Sequence, residues 1–326
     1  MKILFMGTPG FCVDFLKAIV PGHNIAAIVT KPVNPHAENQ RKNSGLELIK
    51  YAGKNNIFVS QPENLNEEAF ISWISSLAPD IILVIAYGKK LPLKLLSLPE
   101  KGCINVHFSL LPEYRGPAPV GRVLLGGEEY TGVTTMFMDE SIDTGRIILQ
   151  EKVAIAENDN YLSLLQKLVN AGCPLLVKTL ELVETGKTAA LKQDFSVKHK
   201  KAELIIKNDM KFEWFMPASQ IHNIIRASYP SGAWFETRLK DCKNKILKVL
   251  SSELYSEAGT GTDTREKEYE PGMIVKADKD GSVVVKCGTG CIKIRTVKAE
   301  SRADCSAYDY LLGARLKKGD SITDVK

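Results

Sequence analysis

Hydrophobic positions in this chain come first as short solid blocks and then as helical stripes, in alternation. Lys2-Ile-Leu-Phe-Met6 is a continuous apolar block and predicts a buried strand. Gly7-Thr-Pro-Gly10 supplies a turn. Phe11, Phe15, Leu16 and Ile19 then recur at helical spacing, and residues 25–29 return to a strand pattern. An opening of strand, turn, helix and strand predicts a parallel α/β sheet. The alternation continues with a helix over 46–52, a strand over 57–59 and a helix over 67–76. A strongly apolar strand over 80–86 follows, ending in Tyr87-Gly88, then a helix over 91–97 and a strand over 103–107. Residues 120–126 read as helix, 132–138 and 147–151 as strands. Residues 160–184 form a long amphipathic helical region, with an expected interruption at Gly172-Cys-Pro174.

After Gly186 the texture changes. Residues up to about 209 are polar and lysine-rich and predict a linker. A helix over 219–227 follows, then short strand patterns at 233–238, 245–250, 272–277, 282–287 and 291–296, separated by glycine turns. Such a series predicts a small β-barrel, with an oligonucleotide-binding (OB-like) barrel as one candidate. Residues 259–270 read as a polar insertion, and 308–312 as a last helix. The 326 residues exceed what one ordinary core needs. The expected division is a Rossmann-like domain over 1–188, a linker over 189–208 and the barrel over 209–326.

Composition narrows the class. A hydrophobic fraction of 44% and a charged fraction of 25% are ordinary for a globular protein. The chain has no apolar run of membrane-spanning length, and its start lacks a signal-peptide pattern, so a cytoplasmic location is expected. The seven cysteines are scattered without Cys-x-x-Cys spacing, which favours buried reduced thiols and no metal. The first turn lacks Gly-x-Gly-x-x-Gly, so a dinucleotide site is not expected. The net charge of +5 permits an anionic partner without demanding one. Arg41 and Lys42, in the polar stretch 31–45, and the run Lys198-His-Lys-Lys201 could meet phosphates or simply be solvated.

The richest stretch runs from Cys103 to Pro119. On a strand, Ile104 and Val106 share one face, and Asn105 and His107 the other. An amide can donate to an oxyanion, and an imidazole can donate or shuttle a proton. Pro112, Gly116, Pro117 and Pro119 then shape a stiff loop, a usual place for ligand contacts.

These residues, with Asp143-Thr-Gly145 downstream, resemble the folate-dependent formyltransferase family. The matching segments are Phe5-Met-Gly-Thr-Pro9, Ala86-Tyr-Gly88, Gly102-Cys-Ile-Asn-Val-His107, Ser109-Leu-Leu-Pro112, Tyr114-Arg-Gly116 and Thr131-Gly-Val-Thr134. Weaker matches follow at Ile225-Arg-Ala, Pro271-Gly-Met-Ile274 and Leu312-Gly-Ala-Arg-Leu316. The resemblance spans nearly the whole chain and is strongest to the tRNA-acting members. It implies transfer of formyl from 10-formyltetrahydrofolate to the amino group of initiator methionyl-tRNA, without a metal, by a monomer. It implies a catalytic set of Asn105, His107 and Asp143. It implies folate contacts from Ser109, Leu110, Leu111 and Pro112, with Tyr87 and Gly88 lining the pterin pocket, and tRNA contacts from Phe11, Arg41, Lys42, Lys200 and Lys201. Asn105 and protonated His107 would donate to the oxyanion while Asp143 holds the imidazole and relays the amine proton. The sequence departs from the family pattern at Phe108, where a small residue is usual, and at Arg146, where an acid is usual. A bulky Phe108 should crowd the folate or point away from it. Two other readings stay open: a formyltransferase for a nucleotide-linked amino sugar, and a folate- or tRNA-binding protein without activity.

Overall fold

The computed structural model describes residues 1–32, 45–239, 244–256 and 269–325. Arg41 and Lys42 therefore lie outside the described residues. The chain divides into two compact units. The first holds Met1–Pro119, Tyr130–Ala154 and Gln166–Glu203, and the second Val120–Glu129, Ile155–Leu165 and Leu204–Lys326.

In the first unit β1 (Lys2–Gly7), β2 (Asn24–Val29), β3 (Val59–Ser60), β4 (Ile81–Ile85), β5 (Cys103–His107), β6 (Tyr130–Phe137) and β7 (Ile147–Ala154) make one sheet, in the order β3-β2-β1-β4-β5-β6-β7. The strands from β1 to β5 pair in parallel, and β6 and β7 add as an antiparallel edge. Every residue of β4 is buried, and Ile3 and Phe5 are as buried as their alternates Leu4 and Met6. Burial on both faces is why these strands read as solid apolar blocks. Helices α1 (Cys12–Ile19), α2 (Leu46–Lys54), α3 (Glu68–Leu77) and α4 (Leu93–Leu96) connect the parallel strands. A short α5 (Pro119–Leu125) follows β5.

The expected break near Gly172 is absent, since α6 runs unbroken from Tyr161 to Glu184 with Pro174 inside it. Proline removes one helical hydrogen bond, which packing can offset. Leu168, Leu176 and Leu180 are fully buried, and a Cβ on Gly172 would meet the Phe15 ring at 2.9 Å. Gly172 thus serves close packing and is not a break.

In the second unit α7 (Ala218–Ser228) lays Ile221, Ile224 and Ile225 on a core with Phe235, Leu247, Val249, Val283, Val285, Ile292 and Ile294. Those core residues come from β8 (Ala233–Leu239), β9 (Asn244–Tyr255), β11 (Val283–Lys286) and β12 (Cys291–Ala299). With β10 (Ile274–Ala277), β13 (Asp304–Ser306) and β14 (Asp324–Val325) they form a second sheet, antiparallel except where β14 pairs β8 in parallel. Its path is β10-β11-β12-β9-β8-β14, with β13 on β12. Residues 319–325 join both ends of that path. The Ile274 N–H donates to the Asp320 carbonyl at 2.9 Å, while β14 pairs β8. The sheet is closed in this way, as a barrel requires. The last helix, α8 (Ala307–Ala314), is capped by Ser306, whose Oγ accepts from the Asp309 N–H at 3.0 Å.

Candidate active site

Asn105 and His107 stand two residues apart at the C-terminal end of β5. Open parallel sheets present their ligand sites at such strand ends. The loop after β6 brings Asp143 to them. Asn105 Nδ2 donates to Asp143 Oδ1 at 3.3 Å, and His107 Nδ1 lies 3.6 Å from Asp143 Oδ2. The Gly116 N–H donates to the same Oδ2 at 3.0 Å. Two members of the expected set, Asn105 and His107, are therefore gathered on the carboxylate of the third.

The imidazole is held from its other edge. His107 Nε2 lies 3.0 Å from the Tyr114 carbonyl, which can only accept, so Nε2 carries a proton. Its Nδ1 edge faces Asp143 and is the edge free to exchange partners. Asn105 is only partly buried, and a second amide hydrogen remains beyond its bond to Asp143.

Two features place Asp143. Its backbone is left-handed at φ +54°, a conformation asparagine and aspartate adopt more readily than most residues. A Cβ on Gly145 would collide with the Phe137 carbonyl, so only glycine lets the loop close this tightly. Gln193 then clamps the turn, its Nε2 donating to the carbonyls of Asp143 at 2.9 Å and Gly145 at 2.8 Å.

The loop 109–112 is braced from within. Ser109 is fully buried, and its hydroxyl donates to the Glu113 carbonyl at 2.7 Å. Thr134, opposite His107 in the β5–β6 register, donates to the Ser109 carbonyl at 2.6 Å and accepts from the Leu111 N–H at 3.1 Å. Gln150 Nε2 reaches both Thr134 Oγ1 and the Leu111 carbonyl at 2.9 Å. Leu110 packs over Gly132, where a side chain would collide with it. Leu110 and Pro112 keep partial exposure, whereas Leu111 is buried.

The Tyr87 ring is 1% exposed inside the hydrophobic cluster, and burial pushes its phenol up to about 12. The segment 87–88 thus presents backbone, and the Tyr87 carbonyl accepts from Thr8 Oγ1 at 3.5 Å. Gly88, at φ +70°, sits against the Lys31 ammonium. Phe108 points into the core, edge-on to Phe11 at 5.5 Å between ring centroids and tilted on Phe15 at 6.2 Å. The Arg146 side chain is exposed, and its carbonyl accepts from the Phe137 N–H.

Lys200 and Lys201 sit in a segment that pairs with the proline loop. The Tyr114 N–H donates to the Lys200 carbonyl at 2.7 Å, and the Ala202 N–H to the Arg115 carbonyl at 2.7 Å. His199 Nδ1 lies 2.8 Å from Glu113 Oε1. The bond to Glu113 and then the Asp194 carbonyl raise the His199 pKa. Burial works against ionisation of Glu113, but His199 and the Lys200 amide hold its pKa below the ordinary value. Both lysine side chains are exposed.

Neither Gln150 nor Gln193 stands out in the sequence, and Thr134 does so only as the end of the matching segment Thr131-Gly-Val-Thr134, with no role attached. Its role follows from its position facing His107 once β5 and β6 are paired. Gln193 has no such signal, since it lies in a polar stretch. Among the described residues no group of three or more His, Cys, Asp or Glu is arranged to hold a metal. No helix among them is long and apolar enough to cross a membrane.

A family model described as formyl transferase matches residues 1–180, and one described as formyl transferase, C-terminal domain, matches 204–315. A methionyl-tRNA formyltransferase of Caldicellulosiruptor saccharolyticus is 38% identical over 326 residues, covering 99% of this chain and 100% of the relative. One from Pelotomaculum thermopropionicum is 37% identical, covering 98% of this chain and 97% of the relative. Among solved structures, an N-formyltransferase of Helicobacter canadensis in complex with folinic acid and dTDP-3-aminofucose superposes with a TM-score of 0.63. It is 20% identical and covers 92% of this chain and 100% of its own, a likeness of fold.

Proposed function

The chain belongs to the formyl transferase family, and we propose that it transfers the formyl group of 10-formyltetrahydrofolate to the free amino group of initiator methionyl-tRNA, for translation initiation. The observation that carries the chemistry is the convergence of Asn105, His107 and the Gly116 N–H on Asp143 at the end of β5. Full-length relatives acting on methionyl-tRNA support the acceptor. The amino-sugar enzyme shares the fold at 20% identity and gives the alternative acceptor no comparable support.

The residues fit a formyl-folate. A formyl oxygen that gains charge needs a donor not already spent, and Asn105 keeps one amide hydrogen at a partly open position. The folate supplies a formyl group on a nitrogen able to leave. Asn105 Nδ2 donates to the formyl oxygen as negative charge builds there. A preorganised donor of this kind is typically worth about 3–4 kcal/mol at the transition state. His107, fixed at Nε2 by the Tyr114 carbonyl, turns its Nδ1 edge to the same region. Asp143, 3.6 Å from that edge, takes the proton the attacking amine loses, directly or through water, and returns it to the folate nitrogen as the bond between that nitrogen and the formyl carbon breaks. Ser109 to Pro112 form the stiff wall against which the folate packs, with Leu110 and Pro112 as its partly exposed members. Phe11, Lys200 and Lys201, with Arg41 and Lys42 outside the described residues, are proposed contacts for the tRNA.

An acceptor screen tests this reading. With 10-formyltetrahydrofolate as donor, methionyl-tRNA should be formylated and nucleotide-linked amino sugars should not. Turnover on the amino sugar alone would move the chain to the other acceptor class. Binding of both substrates without turnover would make it a binding protein.

A further inference from the structure

Arg226, near the end of α7, is 8% exposed, yet no carboxylate pairs with it among the described residues. Its Nε donates to Asn223 Oδ1 at 2.9 Å, and Nη1 to the carbonyls of Ala156 and Asp159 at 3.3 and 3.4 Å. All three acceptors are neutral. The Asp159 carboxylate is spent on the Ala156 N–H and the Ser163 hydroxyl, and with Glu157 it acts on Arg226 only through space. The Nη2 group has no acceptor among the described residues.

Burial lowers the Arg226 pKa, and the nearby Asp159 and Glu157 carboxylates offset this only through space, so an oxyanion in contact with Nη2 would be a direct partner. Beside this guanidinium lies a cavity of about 310 Å³, within the second unit. That is at the lower end of the roughly 300–1,000 Å³ typical of small-molecule sites. Its lining includes Arg226, Asn158, Tyr229, Ser251 and Thr296, a set dominated by hydrogen-bonding groups. Asp304 also lines it, but its carboxylate is bonded to Lys298 Nζ at 3.3 Å, which offsets its charge.

We propose that this cavity binds a phosphate-type oxyanion, with Arg226 Nη2 as the cationic donor and the Ser251 and Thr296 hydroxyls as neutral donors. The space beside Tyr229 and Asn158 admits the organic part of a phosphate monoester. Guanidinium groups favour phosphate because their planar fork offers parallel donors to two oxygens. The site lies within the second unit and uses no residue of the proposed formyl-transfer machinery. Its existence therefore does not depend on that reading.

The experiment is a calorimetric titration of the full chain with inorganic phosphate and with adenosine 5′-monophosphate. The wild type is compared with Arg226→Gln and Asn158→Asp. Asn158 is exposed, so its variant adds a negative charge to the lining without disturbing the core. Saturable one-to-one binding of at least one probe is expected, weakened about tenfold or more in Arg226→Gln, which removes a charged donor, and clearly weakened in Asn158→Asp, which adds a like charge. If Arg226→Gln does not fold, Asn158→Asp decides alone. No saturable binding of either probe, or binding unchanged in Asn158→Asp, overturns the proposal. Repeating the titration with uncharged tRNA present separates the sources. Loss of phosphate binding assigns the site to a nucleic-acid phosphate, and unchanged binding to a free phosphorylated molecule.

Discussion

Phe108 sits between His107 and the loop that braces the proposed folate wall, and its side chain turns away from both. It is 6% exposed and packs on Phe11 and Phe15. Bulk at this position is thus absorbed by the core. Truncation by Phe108→Ala should cost about 3–5 kcal/mol of stability, as is usual for a buried aromatic. Denaturant unfolding would measure that loss, while the KM for the folate stays near the wild-type value. A large rise in KM without loss of stability would show that the ring faces the folate after all. The pattern of side chains in β5 made Asn105 and His107 readable in advance, because a strand's period places them together. The orientation of Phe108 was not readable, since the first residue past a strand no longer follows that period.

At the scale of elements, the stretch from 189 to 203 behaves unlike a solvated tether. Leu191 exchanges two backbone hydrogen bonds with Ile147, both at 2.8 Å, and Lys200 and Ala202 pair with Tyr114, Arg115 and Ala118. Between those anchors Gln193 holds both carbonyls of the Asp143 turn. Polar composition hid this, because backbone pairing leaves no hydrophobic signature. The α/β alternation was readable for the opposite reason, as buried parallel strands must be apolar on both faces. Pro174 misled because its local helix-breaking tendency is outweighed by the buried face of α6. Replacing Gln193 with leucine should leave two carbonyls unsatisfied and let the turn shift. A turn displaced by about 1 Å can lower turnover by roughly a hundredfold. Steady-state kinetics on Gln193→Leu should show a fall in kcat with KM for the folate little changed. Wild-type kcat in a folded variant would reduce Gln193 to a packing residue.

For the whole molecule, the barrel-like second unit was foreseen from its short strands and glycine turns, but the segment that closes it was not. Residues 319–325 complete it through backbone bonds to Ile274 and Arg238, again invisible to side-chain pattern. The net charge of +5 and the exposed lysines at 200 and 201 suit a polyanionic acceptor. Binding of tRNA should therefore weaken by about tenfold or more between 50 and 200 mM salt, as phosphate contacts release counterions. Filter binding or fluorescence titration across that range would measure the slope. An affinity independent of salt would speak against phosphate contacts as the main source of binding.

The most direct test is formyl transfer by Asn105→Ala, measured in single turnover with saturating 10-formyltetrahydrofolate and methionyl-tRNA. Circular dichroism should first establish that the variant is folded. The rate is expected to fall by roughly 10²–10³, the usual cost of removing one oxyanion donor, with substrate binding little changed. A folded Asn105→Ala variant that transfers formyl at the wild-type rate would contradict the placing of the oxyanion at the end of β5.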